Sequence, residues 1–150
     1  MQRIMRASGL GTAGLLTIFG LIHAFWAARG MSGGSAVIPQ RAGRPVIRPS
    51  RLATLGVAGC LFAAALTLLA RLGIMRRPAF VPASLPHRGS WALAVIFGLR
   101  AIGEFRYVGI FKRVKRTPFA RWDTRLFVPL CVIVAAGSAL VAASEPPPHQ

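Results

Sequence analysis

An arginine and a glutamate lie four residues apart in a stretch of the chain that is otherwise mostly apolar. Arg100 and Glu104 fall within residues 91–111, and Glu104 is one of only three acidic residues in the chain. Residues spaced four apart share one face of a helix, so the two side chains are predicted to form an ion pair there. An ionisable group inside a membrane is costly unless it is paired, so such a pair is either a packing lock or a working site.

A histidine on another apolar run is predicted to lie at a similar depth. His23 lies five residues before the end of the run 7–28, and Glu104 lies seven before the end of the run 91–111. At a rise of about 1.5 Å per residue, these positions are about 8 and 10 Å from one membrane interface. An aromatic residue lies about one helical turn from each of them. The candidate polar intramembrane site consists of His23, Trp26, Arg100, Glu104 and Tyr107.

The site leaves three kinds of function open. The favoured one is a non-enzymatic structural or accessory membrane protein in which Arg100 and Glu104 form a buried lock. The second is a small-molecule or proton-linked carrier that uses Glu104 and His23. The third is a membrane enzyme or cofactor protein acting on a lipid or quinone, although no catalytic set of residues is found.

Neither a metal nor a cofactor is predicted from the residues. One intramembrane histidine and one glutamate fall short of the three or four ligands that a zinc site needs. A haem held within the bundle would have His23 alone, because His87 lies in a loop and His149 in the C-terminal tail.

The elements that position these residues are four long apolar runs. Hydrophobic residues make up 54% of the chain and the mean hydropathy is +0.56. A helix needs roughly 20 apolar residues to cross a membrane. A soluble bundle would show a polar stripe along each helix, which these runs lack. The sequence therefore predicts one all-α domain, residues 1–150, that is a four-span transmembrane helical bundle. The spans are residues 7–28, 52–70, 91–111 and 126–143.

A short helix is predicted at the interface before the fourth span. Thr117 and Pro118 form a typical N-cap and first-turn pair. Phe119 and Trp122 then lie on one face, with basic residues on another, which is typical of an amphipathic interfacial helix. Asp123 is either a second helix cap or the partner of a loop arginine.

The net charge of +16 follows from arginines and lysines that flank the apolar runs. Such a distribution is typical of membrane topology signals and of loops that attract anionic lipid headgroups. It does not indicate nucleic-acid binding, because no soluble segment is long enough to form a basic face. The first and third loops hold eleven basic residues against six on the other side. These loops are therefore predicted to be cytoplasmic, with both termini outside.

Two segments resemble a known family. The run RAIGEFRYVGIFKRVK at 100–115 is followed by Thr117-Pro-Phe-Ala and later by Pro129-Leu-Cys131, and His23-Ala-Phe-Trp26-Ala precedes a glycine-rich loop. Together they resemble the bacterial membrane family catalogued as domain of unknown function 3995. The resemblance implies a small four-span integral membrane protein of unassigned activity. The predicted location is the inner membrane of a bacterium. It implies no catalytic residues, and a partner membrane protein stays open.

Overall fold

The computed structural model describes residues 2–30, 36–41 and 44–144, with the backbone alone for Gln2. The predicted C-terminal tail lies outside these residues. The helices are α1 (Gln2–Arg29), α2 (Arg51–Arg71), α3 (Leu85–Ile102), α4 (Pro118–Trp122) and α5 (Val128–Ala143). A π-helical turn, Asp123–Phe127, joins α4 to α5. Two short antiparallel strands, β1 (Gln40–Arg41) and β2 (Arg44–Pro45), lie in the loop between α1 and α2.

The predicted all-helical architecture is confirmed. Three described helical segments are long and apolar enough to cross a membrane, namely Arg3–Arg29, Arg51–Arg71 and Pro118–Ala143. They correspond to the predicted first, second and fourth spans. Their apolar residues face outwards as well as inwards, since Leu21 and Leu52 are 58% and 79% exposed. Exposed apolar surface on this scale is what a lipid environment requires.

The predicted third span, residues 91–111, is wrong in its bounds. Helix α3 begins at Leu85, with Pro86 in its first turn, and ends at Ile102. It ends because Gly103 has a φ of 88°, which favours glycine and which a continuing helix does not have. Its 18 residues span about 27 Å. Arg88 and Arg100 near its two ends lower its hydropathy, and it is not one of the three membrane-length apolar segments.

The predicted interfacial helix is not a separate element. The Thr117 side chain caps α4 as expected, because its Oγ1 accepts a hydrogen bond of 3.1 Å from the Ala120 N–H. The π-helical turn then carries the chain into α5 without a break, and the Val128 N–H donates to the Asp123 carbonyl. Pro129 follows directly and has no N–H to donate, so the wider turn accommodates it without losing a further hydrogen bond.

The helices pack in an antiparallel bundle. Helix α1 lies on α2 and α5, and α3 lies on α5 and α2. The centre of the bundle is formed by Leu16, Leu68, Val134 and Val141, each with no exposed surface. Helices α1, α2, α3 and α5 alternate in direction along the chain. One end of the bundle, here called the cluster end, therefore carries the α1–α2 loop and the loop after α3.

At the opposite end of the bundle, an arginine caps the C-terminus of α5. Arg71 ends α2 and is 8% exposed, and its Nη2 donates hydrogen bonds to the carbonyls of Ala142 and Ser144. Carbonyls at the end of a helix have no partners within it and carry partial negative charge. A cation placed there satisfies the final turn of α5 and joins it to α2.

Close approach of α1 and α5 depends on a glycine. A Cβ added at Gly137 would lie 2.0 Å from the Thr12 Oγ1. We expect Gly137→Ala to lower the free energy of unfolding by about 1–3 kcal/mol, because the extra methyl group overpacks this contact. Thermal unfolding in detergent would measure it. Gly14→Ala is the matched control, since its Cβ would meet nothing within 4 Å. If the variant Thr12→Ala/Gly137→Ala were no more stable than Gly137→Ala, the contact would not be the cause.

Candidate functional site

The loop that follows α3 folds back tightly on the end of that helix. The Ile110 N–H donates a hydrogen bond of 2.9 Å to the carbonyl of Ala101. The backbone crosses over itself at Gly103 and Gly109, whose φ values are 88° and 91°. A Cβ on Gly109 would lie 2.4 Å from the Gly103 Cα. The backbones can approach this closely only because neither residue has a side chain.

A fully buried aspartate lies beneath this crossing. Asp123 has no exposed surface, and both of its carboxylate oxygens accept hydrogen bonds. Oδ1 accepts from Arg100 Nη2 at 3.0 Å. Oδ2 accepts from the Gly109 N–H at 2.8 Å and from Lys112 Nζ at 3.0 Å. The aspartate therefore joins the end of α3, the loop and the start of the last helix.

Lys112, which also pairs with Asp123, is almost as deeply buried as the aspartate. The Lys112 side chain is 3% exposed. Its ammonium group has three hydrogens, and it donates to Asp123, to the Gly109 carbonyl at 2.9 Å and to Thr124 Oγ1 at 2.7 Å. Every donor of this buried cation is satisfied. We call Arg100, Gly109, Lys112, Asp123 and Thr124 the Asp123 cluster.

The predicted ion pair between Arg100 and Glu104 is wrong. Glu104 lies beyond the end of α3, so the spacing of four residues no longer places it beside Arg100. Glu104 is exposed, and its Oε1 accepts a hydrogen bond from the Tyr107 N–H. Arg100 pairs with Asp123 instead. Asp123 was predicted to be either a helix cap or the partner of a loop arginine. It is the partner of an arginine, but that arginine, Arg100, lies in the last turn of α3 and not in a loop.

His23 and Trp26 line a different space. A cavity of about 220 Å³ lies between α1, the α1–α2 loop and the start of α2. His23 Nδ1 lies 2.7 Å from the Phe19 carbonyl, to which it donates. The His23 and Trp26 rings meet edge to face, with centroids 5.3 Å apart. The described residues that line the cavity are His23, Trp26, Val37, Ile38, Ile47, Pro49, Ala53, Thr54 and Val57.

The structure thus divides the five predicted site residues among three places. His23 and Trp26 line the cavity, Arg100 belongs to the Asp123 cluster, and Glu104 and Tyr107 lie in the loop after α3. In the described part of the chain, no hydrogen bond or ion pair joins His23 to Glu104. The predicted use of these two residues together by a carrier therefore has no contact to support it.

The burial of Asp123 limits what the cluster can do chemically. A general base needs a free lone pair that is directed at a substrate. Asp123 has no exposed surface, and its two oxygens accept hydrogen bonds from three donors, which engage three of about four lone-pair sites. No group of three or more His, Cys, Asp or Glu residues that could hold a metal occurs among the described residues. A buried ion cluster of this kind can specify one arrangement of the chain around it.

Comparison with curated proteins and with solved structures finds no match. The sequence profile of a family described as "Protein of unknown function (DUF3995)" matches residues 16–138, which include the His23 cavity and the whole Asp123 cluster. The resemblance predicted from the sequence is therefore confirmed. With most of its length covered by this match, the chain belongs to the DUF3995 family of proteins of unknown function.

Proposed function

We propose that this chain is a non-enzymatic integral membrane protein, a structural or accessory component of a bacterial inner membrane, whose four long helices all cross the bilayer. Three of these helices have the length and composition of spans. The fourth, α3, presents Val95, Ile96 and Leu99 on its outer surface with exposures of 56%, 58% and 61%. This surface supports a crossing by α3, with the exposed Arg88 near its start extending to the headgroups.

The observation that carries a structural role is the complete burial of Asp123. This carboxylate has no exposed surface, and it accepts hydrogen bonds from Arg100, Gly109 and Lys112. A buried ion pair contributes little net stability compared with apolar residues, but it can specify one arrangement of the chain. Here it specifies how the loop after α3 sits at the cluster end of the bundle.

The loop that is held in this way offers a surface suited to a membrane interface. Phe105 and Phe111 are 56% and 60% exposed, and their ring centroids are 6.2 Å apart. Exposed basic residues surround them, including Arg106, Arg113 and Lys115. Aromatic rings favour the headgroup region and basic side chains favour anionic lipids. We propose that this surface contacts anionic headgroups.

A carrier that uses Glu104 together with His23 is not supported. Such a carrier would need both side chains to face one space within the membrane. His23 lines the cavity beside α2, whereas Glu104 is exposed and bound to the backbone of its own loop. The described contacts do not connect the two residues.

Cysteine labelling tests the four-span arrangement and its orientation. In a Cys60→Ala/Cys131→Ala background, we expect a membrane-impermeant maleimide to label Ala83→Cys in intact cells. Lys115→Cys and Gly43→Cys should react only after lysis, because their loops hold eleven basic residues against six on the other side. Labelling of positions 43 and 115 but not 83 in intact cells would reverse the orientation. Equal labelling of 83 and 115 would show that α3 does not cross.

A further inference from the structure

The cavity beside His23 has the shape and chemistry of a binding site that the structural role does not use. It lies near the end of α1, since His23 precedes the last residue of that helix, Arg29, by six positions. At about 1.5 Å per residue, this places the histidine about 9 Å from the cluster end of α1. A membrane-dissolved molecule would meet the cavity at the depth where headgroups give way to acyl chains.

The hydrogen bond from His23 Nδ1 determines whether the other ring nitrogen, Nε2, is a donor or an acceptor. Nδ1 donates its hydrogen to the Phe19 carbonyl, because a carbonyl oxygen can only accept. In the neutral ring the other nitrogen, Nε2, then carries no hydrogen and is an acceptor. None of the described hydrogen bonds uses Nε2. The cavity therefore offers one strong acceptor to a bound molecule.

The described lining of the cavity offers no charged partner to a ligand. No lysine, arginine, aspartate or glutamate is among the described residues that line the cavity. Phosphate and carboxylate groups need cationic partners when they leave water, and none is present to receive them. Thr54 Oγ1 is already committed as a donor to the Ser50 carbonyl at 2.9 Å. Val37, Ile38, Ile47 and Val57 make most of the wall apolar.

The size of the cavity suits a single substituted ring. An apolar protein cavity of about 150 Å³ binds benzene. The cavity here, at about 220 Å³, has room for a six-membered ring with a short substituent. The edge of Trp26 beside His23 provides an aromatic wall for such a ring.

The geometry points to a binding site for an uncharged phenol-type or hydroquinone-type headgroup, whose ring hydroxyl donates a hydrogen bond to His23 Nε2. The apolar remainder of the molecule lies against the aliphatic wall or extends towards lipid. This binding role goes beyond the structural role proposed above, and it involves no chemical change of the ligand.

The test compares two probes on the same protein. The full chain in lipid nanodiscs carries Trp91→Phe and Trp122→Phe, so that Trp26 alone reports on the cavity by its fluorescence. The probes are para-propylphenol and its methyl ether, para-propylanisole, which differ in the hydroxyl hydrogen. We expect a saturable change of Trp26 emission, with the phenol binding about tenfold more tightly, because the ether has no hydroxyl hydrogen to donate to Nε2. No saturable change with the phenol, or equal affinities of the two probes, would overturn the proposal.

Two further variants in the same background locate the binding. His23→Phe keeps a ring but removes the acceptor, so the affinity for the phenol should fall to that for the ether. Val57→Phe should abolish the saturable change for both probes, because it fills the cavity. Val95→Phe, on the outer surface of α3, is the matched control and should bind as the parent does. A preference for the phenol that persists in His23→Phe, or unchanged binding in Val57→Phe, would rule out this site.

Discussion

Replacing Asp123 by asparagine should lower the free energy of unfolding by about 3–5 kcal/mol. The substitution keeps the shape of the side chain but removes its charge, which leaves Arg100 and Lys112 facing each other without a counter-ion. Lys112 is 3% exposed and cannot reach water without breaking its contacts with Gly109 and Thr124. The cost is therefore that of an unpaired cation in a dry place.

Thermal unfolding in detergent would measure this loss. Glu104→Gln is the matched control, because it also neutralises a carboxylate, but one that is exposed. Its effect should lie within about 0.5 kcal/mol of zero. The double variant Lys112→Met/Asp123→Leu should be more stable than Asp123→Asn, since it removes both buried charges together. If Asp123→Asn were as stable as Glu104→Gln, the cluster would not be the lock that we propose.

Three of the four long helices could be predicted from the sequence because their apolar runs coincide with them. Helices α1 and α2 begin and end within a few residues of the predicted runs 7–28 and 52–70, and the fourth run lies within the segment Pro118–Ala143. The third run failed because apolar composition does not distinguish a helix from an apolar loop. Phe105, Val108 and Phe111 extend the run beyond the point at which Gly103 has already ended the helix.

The candidate site was harder to predict, since its contacts depend on that helix end and on long-range pairing. A spacing of four residues places two side chains together only inside a helix. Because the helix ends before Gly103, this spacing does not bring Glu104 beside Arg100. The sequence places His23 near the end of its helix, but its neighbours depend on how α1 is rotated about its axis. The sequence marks Lys112 only as one of several basic loop residues, and nothing in its spacing predicts that it is buried against Asp123. The useful signals were the two glycines around the loop and the small number of acidic residues.

The glycines at the backbone crossing should be the least replaceable in the described chain. In Gly103→Ala the new Cβ would lie 1.9 Å from the Val108 carbonyl oxygen, and in Gly109→Ala it would lie 2.3 Å from that of Ile102. Both positions also have a positive φ, which costs an alanine roughly 1–2 kcal/mol before any clash. Backbone atoms cannot move aside as a flexible side chain can. We expect each variant to lose more than about 2 kcal/mol, measured by thermal unfolding in detergent, because the two terms add.

Gly98→Ala is the matched control for this prediction, because it lies within α3 and its Cβ would meet nothing within 4 Å. It should be neutral or stabilising by up to about 1 kcal/mol, as expected for glycine to alanine inside a helix. The loop crossing also delivers the Gly109 N–H to Asp123, so the two features should be coupled. Gly109→Ala combined with Asp123→Asn should therefore cost less than the sum of the single changes, as for residues in one hydrogen-bond network. Strictly additive losses would mean that the loop closes without the aspartate, and the cluster would then hold the helices but not the loop.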